Sequence, residues 1–217
     1  MNPRTQRSAV AGPAGEIECA IDVPVPVLAP APAHDLPRGV AVLCHPHPQH
    51  GGTLDNKVVL TLARAFVQLG YISVRFNFRG VGASQGHWDA GNGEVDDALA
   101  VIEAHRDAAL PLALGGFSFG AYVASQAAAR LDAGRRAERL VLAGPAVLNF
   151  PLAAVPADTL VVHGEHDEVV PLQAVFDWAR PQSLPVVVVP GAGHFFHGQI
   201  TLLKHIVIGA WHPRATT

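Results

Sequence analysis

The stretch "GGFSFG", Gly115 to Gly120, carries a G-x-S-x-G pattern at Gly116, Ser118 and Gly120. A serine hydroxyl is a poor nucleophile at neutral pH. It needs a base to take its proton and a carboxylate to fix the tautomer of that base and steady its charged form. Downstream, "GEHDEVVP" supplies Asp167 and "GAGHFFHG" supplies His194. Glu165 and Glu168 compete with Asp167 as the acid, and His197 competes with His194 as the base. The chain holds 12 histidines, so position rather than residue type must single one out.

A second cluster lies upstream in "HPHPQHGG". Acyl transfer through a serine needs two amide donors for the oxyanion, one from the residue after the nucleophile, here Phe119, and one from an early strand-to-helix loop. Pro46 and Pro48 have no amide hydrogen, which leaves the His47 amide between them as the best-placed second donor. The same letters also read H-x-H-x-x-H, so His45, His47 and His50 form an alternative zinc site for a metal-dependent hydrolase. Two prolines stiffen a loop that would have to wrap the ion, and the expectation is no bound metal.

These groups act only if the chain delivers them to one place. Short β-branched runs recur at "VAVLC" from Val40, "ISVRF" from Ile72, "LALGG" from Leu112, "RLVLAG" from Arg139, "TLVVHG" from Thr159 and "PVVVVP" from Pro185. Continuous apolar runs of this length suit strands buried on both faces. Between them, Val58, Leu62, Ala65, Phe66 and Leu69 recur at helical spacing and Gly70 ends the helix. Val95, Ala98, Leu99 and Ile102 repeat the scheme with acidic residues early, where the helix dipole favours them. "FGAYVASQAAARL" predicts a helix directly after Ser118, Pro171 opens another ahead of Leu172, Val175 and Trp178, and Ile200 to Ala210 forms the last. Strand and helix alternate, which calls for a mostly parallel sheet covered on both faces. Only "IECAIDV", Ile17 to Val23, alternates apolar with polar residues, as a half-exposed antiparallel edge strand would.

In this frame Ser118 follows a strand and opens a helix, the context in which G-x-S-x-G becomes a nucleophile turn. Asp167 and His194 fall just past the C-terminal ends of two later strands, in the chain order serine, acid, histidine, where open α/β sheets bind ligands.

With 217 residues the chain has room for one sizeable domain, read here as 1–217 with its core at about 17–211. Hydrophobic residues make up 49% and charged residues 15%, which excludes a disordered chain. A formal net charge of −3 gives no basic footprint for nucleic acid or anionic membrane. The first twenty residues lack the apolar run of a signal peptide, and Cys19 and Cys44 are expected as reduced thiols, so a cytoplasmic location is expected. The proline-rich interval Val23 to Pro37 reads as a connection inside the domain. Gly80, Gly82 and Gly86 do not form a dinucleotide fingerprint, and no cofactor is expected. Asn77 and Arg79 are expected to hold loop structure, while Trp88 fits either a pocket wall or a loop cap.

"GFSFG", "GEHDEVVP" and "GAGHFF", in that order, and "FNFRGVGASQG" upstream of them resemble, over about Ile17 to Trp211, the α/β-hydrolase superfamily, in particular small bacterial members similar to dienelactone hydrolases and compact carboxylesterases. Dienelactone hydrolase itself uses cysteine where this chain has Ser118, which argues against carrying over its substrate. Gln49 stands where metallo-β-lactamase-type sites carry aspartate, a further mark against zinc. The resemblance implies a three-layer α/β-hydrolase fold. The interval from Pro145 to Asp158 is too short for an inserted lid domain. The expected activity is hydrolysis of small acyl esters by Ser118, Asp167 and His194, as a monomer or homodimer. A non-catalytic binding module on the same fold is the alternative.

Overall fold

The computed structural model describes residues 5–24 and 37–211. Residues 25–36 of the proline-rich interval, and both chain ends, lie outside them. The element order is β1 (Gln6–Gly12), β2 (Gly15–Asp22), β3 (Gly39–Cys44), α1 (Lys57–Gln68), β4 (Tyr71–Phe76), α2 (Asn92–His105), β5 (Leu112–Phe117), α3 (Phe119–Arg130), β6 (Arg139–Ala143), β7 (Leu160–Gly164), α4 (Leu172–Ala179), β8 (Val186–Val189) and α5 (Ile200–Ala210). The eight strands form one sheet in the order β1-β2-β4-β3-β5-β6-β7-β8. From β4 to β8 every pairing is parallel, and β2 runs antiparallel to both β1 and β4.

The continuous apolar strands are explained by their two buried faces. In β3, Val40, Val42 and Cys44 join the core beneath α2 and α3, while Ala41 and Leu43 join the core beneath α1 and α5. Strand β5 divides the same way, with Leu112 and Leu114 on one side and Ala113 and Phe117 on the other. A side-chain period of two leaves no position free for a polar residue when both faces are covered. Of the helix-spaced residues in α1, Val58, Leu62, Ala65 and Phe66 are buried, and Gly70 takes a φ of 90° just after the helix, a conformation that favours glycine.

Strand β2 is antiparallel, as its alternation predicts, but it is not the outermost strand. The reading of the sequence missed β1, which pairs with β2 from Gln6↔Ile21 to Gly12↔Gly15 around a two-residue turn. Paired on one side only and largely exposed, β1 has no apolar run to announce it. Its one local signal was the turn "GPAG". On the face of the hairpin away from α2, charge replaces apolar packing. Arg75, 1% exposed, pairs with Asp22 at 3.0 Å and donates to the Leu54 carbonyl at 2.7 Å. A buried charge held this way is costly to strip of its partner.

The acidic residues early in α2 do more than meet a helix dipole. Glu94 is buried and accepts the amides of Asp89 and Gly91, and Asp97 takes a two-pronged ion pair from Arg79. That pair, with Asn77 bridging the Leu54 amide and the Glu18 carboxylate, gives both residues of "FNFRG" the structural work expected of them. Cys19 and Cys44 are free and buried. Between β6 and β7, residues 144–159 carry no helix or strand, so no lid domain is inserted there. No helix among the described residues is long and apolar enough to cross a membrane.

Candidate active site

Ser118 sits between the last residue of β5 and the first of α3 with φ 56° and ψ −117°, in the left-handed region that a residue with a side chain enters only under constraint. Two contacts supply the constraint. The Ser118 amide donates to the Ala143 carbonyl at 2.9 Å, and its carbonyl accepts the Ala121 amide at 3.0 Å. The flanking glycines are required by close approach. A Cβ on Gly116 would overlap the Gly120 carbonyl, and one on Gly120 would overlap the carbonyl oxygens of Cys44 and His45. The turn after β5 is therefore pressed directly against the loop after β3.

That contact brings the two predicted oxyanion donors into one neighbourhood. The Phe119 amide, first in its helix, has no intrahelical acceptor. The His47 amide donates to no acceptor among the described residues, although the His47 carbonyl takes the amides of His50 and Gly52. The rings of His47 and Phe119 lie 5.3 Å apart between centroids, and Trp88 packs on both, 4.6 Å from His47 and 5.1 Å from Phe119. Trp88 thus belongs to the aromatic wall beside these amides, a point the sequence left open.

The acid and histidine loops follow β7 and β8 and are laced together. The Glu165 amide donates to Val189, the His166 amide donates to Ala192, and the Glu165 carboxylate accepts the Gly191 amide at 2.8 Å. Within this frame Asp167 Oδ1 accepts the amides of Val169 and Val170 at 2.9 and 2.8 Å. Its Oδ2 faces His194 Nδ1 at 2.7 Å, and His194 Nε2 faces Ser118 Oγ at 3.0 Å. All three residues are at least 90% buried. The acceptor-only carboxylate fixes the proton on Nδ1 and leaves Nε2 to accept from the serine. Burial alone would raise the Asp167 pKa, but the hydrogen bonds from His194 and Val170 and the nearby histidines hold it below the ordinary aspartate value. The competitors lie elsewhere: Glu165 ties the loops, Glu168 is exposed, and His197 is exposed beside Phe195.

One residue of this site escaped the sequence reading. His163, buried in β7, donates from Nε2 to the Val170 carbonyl at 2.8 Å, with the same nitrogen 3.4 Å from Asp167 Oδ2. Burial lowers its pKa, which favours the neutral ring. The signal was a lone histidine inside the apolar strand "TLVVHG", four residues before Asp167.

The three histidines of "HPHPQH" do not converge. Both ring nitrogens of the fully buried His45 are engaged, Nδ1 with the Pro46 carbonyl at 2.6 Å and Nε2 with the Phe78 amide at 3.0 Å. His47 stacks on His50, centroids 4.5 Å apart and planes 20° apart. No cluster of three or more metal-type ligands occurs among the described residues. The geometry therefore gives His45 a structural task, pinning the loop after β3 to the loop after β4.

That task predicts a pH dependence of stability. Burial lowers the His45 pKa from 6.5 to about 4. The unfolded chain takes up this proton first as the pH falls, so the contribution is complete above 6.5 and is lost progressively on the way down to 4. It amounts to about 3 kcal/mol. Urea denaturation of the parent and of His45→Gln should show a stability difference that shrinks by about this amount between pH 7 and pH 4. A constant difference would contradict the assignment.

Comparison with known proteins agrees with this architecture. Residues 35–154 match the family described as serine aminopeptidase, S33. The uncharacterized protein RP471 of Rickettsia prowazekii is 32% identical, the match covering 72% of this chain and 71% of that one. XC6422 from Xanthomonas campestris, described as a member of the α/β serine hydrolases without lid, superposes with a TM-score of 0.86 at 37% identity, covering 99% of this chain and 98% of that one. An α/β serine hydrolase homologue from Coxiella burnetii gives 0.80 at 38% identity over 95% and 97% of the two chains. The family match contains His47, Ser118 and Phe119 and stops before Asp167 and His194, so those two rest on the geometry.

Proposed function

Since the chain belongs to the α/β-hydrolase superfamily, within the family described as serine aminopeptidase, S33, we propose that it is a serine hydrolase that cleaves small acyl esters through an acyl-enzyme. The observation that carries this reading is the unbroken line from Ser118 Oγ to His194 Nε2 at 3.0 Å and from His194 Nδ1 to Asp167 Oδ2 at 2.7 Å. His194 takes the Ser118 proton as the oxygen attacks the acyl carbon. Asp167 accepts the Nδ1 proton bond throughout and steadies the imidazolium. The carbonyl oxygen, now an anion, is held by the amides of Phe119 and His47. Collapse expels the alcohol, which leaves with the proton from His194. Water then enters, gives a proton to His194, and attacks the acyl-serine to release the acid and restore the hydroxyl.

No lid domain is inserted between β6 and β7, and this favours small or accessible substrates. A fluorophosphonate probe should label Ser118 and no other residue, with turnover on a panel of p-nitrophenyl esters blocked in proportion to labelling. The panel should include aminoacyl arylamides, the substrates that the family description points to. Labelling at another residue, or full activity after complete labelling of Ser118, would overturn the proposal.

A further inference from the structure

Next to the histidine loop lies a cleft of about 740 Å³ whose walls are the first two turns of α1 and the segment that leads into α5. Leu60, Thr61, Phe195 and Ile200 line it together with Lys57 and Arg64, and no carboxylate of the described residues does. Lys57 and Arg64 are seven residues apart, two helical turns, so both lie on one face of α1 with about 10 Å of helix between them. Neither forms an ion pair among the described residues. Among the described residues the lining is thus mainly apolar, and the side chains in it that carry full charge are cations.

Phe195 joins this cleft to the reacting groups. Its ring is 45% exposed, lines the cleft, and meets the His194 ring edge to face at 5.1 Å and the Phe117 ring at 5.8 Å. The walls of the cleft are built by segments that follow β3 and β8, Ser118 follows β5 and His194 follows β8, so all leave C-terminal strand ends. Phe195 is thus the residue through which the cleft adjoins the His194 ring.

We propose that the cleft binds the acyl chain of the substrate, and that this chain carries an anionic group at its far end. The chain packs along Leu60, Thr61, Phe195 and Ile200, and the anion is met by Lys57 or Arg64. This rests on the ester-hydrolase reading for its chemistry, although the binding itself does not. A neutral chain would leave both cations unanswered, whereas a single terminal anion would pair with one of them without displacing a carboxylate from the described lining.

Two measurements test it. The first compares kcat/KM for p-nitrophenyl octanoate with that for the p-nitrophenyl monoester of octanedioic acid, which has the same length and adds one carboxylate. The parent should prefer the monoester by about tenfold at low salt, less at high salt. In Lys57→Ala/Arg64→Ala the preference should collapse to near unity. The second titrates Ser118→Ala with monomethyl octanedioate by calorimetry, where binding should weaken about tenfold on Arg64→Glu. Cleavage of both esters at equal rates in the parent, or equal loss of both in the double variant, would overturn the anion preference. Charge-dependent binding without hydrolysis of any ester would keep the cleft and reject the hydrolase reading.

Discussion

Ser118→Ala is expected to lower kcat for ester hydrolysis by about 10⁴ or more while leaving the fold intact. The Ser118 hydroxyl has one hydrogen-bond partner among the described residues, His194, so its removal unpairs no other buried group. The backbone constraint survives, because alanine at φ 56° meets the same steric conflict as serine. Ser118→Gly separates the two effects. Left-handed backbone costs a residue with a side chain about 1–3 kcal/mol, and glycine's greater freedom when unfolded returns about 0.5–1 kcal/mol of that. The glycine variant should therefore be equally inactive and at least as stable as the alanine variant. Steady-state kinetics with a pre-steady-state burst, together with urea denaturation of both variants, decides the matter. Turnover of the alanine variant within tenfold of the parent would remove Ser118 as the nucleophile.

Asp167→Asn should reduce kcat by a similar factor, about 10⁴, for a different reason. Two backbone amides, those of Val169 and Val170, already hold Oδ1 as an acceptor. The asparagine carbonyl must take that place, which turns its NH₂ toward His194 Nδ1. A donor there forces Nδ1 to accept, and the proton moves to Nε2, where it can no longer receive the one from Ser118. The loss should appear in kcat with little change in KM, since no substrate contact is altered. It should also ease at high pH, where the serine proton is lost to hydroxide without the base. Stability responds with the opposite pH sign: the depressed Asp167 carboxyl stabilises the fold above its unfolded pKa, and that contribution disappears as acid protonates it. The parent's advantage over Asp167→Asn should therefore narrow as the pH falls through the aspartate range. An asparagine variant with parental kcat at pH 7 would show that Asp167 does not set the tautomer.

Local pattern alone determined the parallel sheet, because a strand covered on both faces must be apolar at every position, and β3 and β5 are. It determined the turn at Ser118 as well, because two glycines spaced around a serine between strand and helix answer a steric demand that is itself local. What pattern could not determine was anything settled by residues distant in the chain. The hairpin strand β1 is exposed and takes its identity from β2. His45, His47 and His50 look alike in a row, yet one is consumed by the Phe78 amide and another by stacking on its neighbour. Glu94 and Asp97 look like helix-end charges until the Gly91 amide and Arg79 are seen beside them. His163 gains meaning only from the fold of the loop that returns Asp167 to it. Periodicity reports which face of an element is buried. Which polar group meets which other one depends on the mutual placement of loops, and only packing in three dimensions decides that.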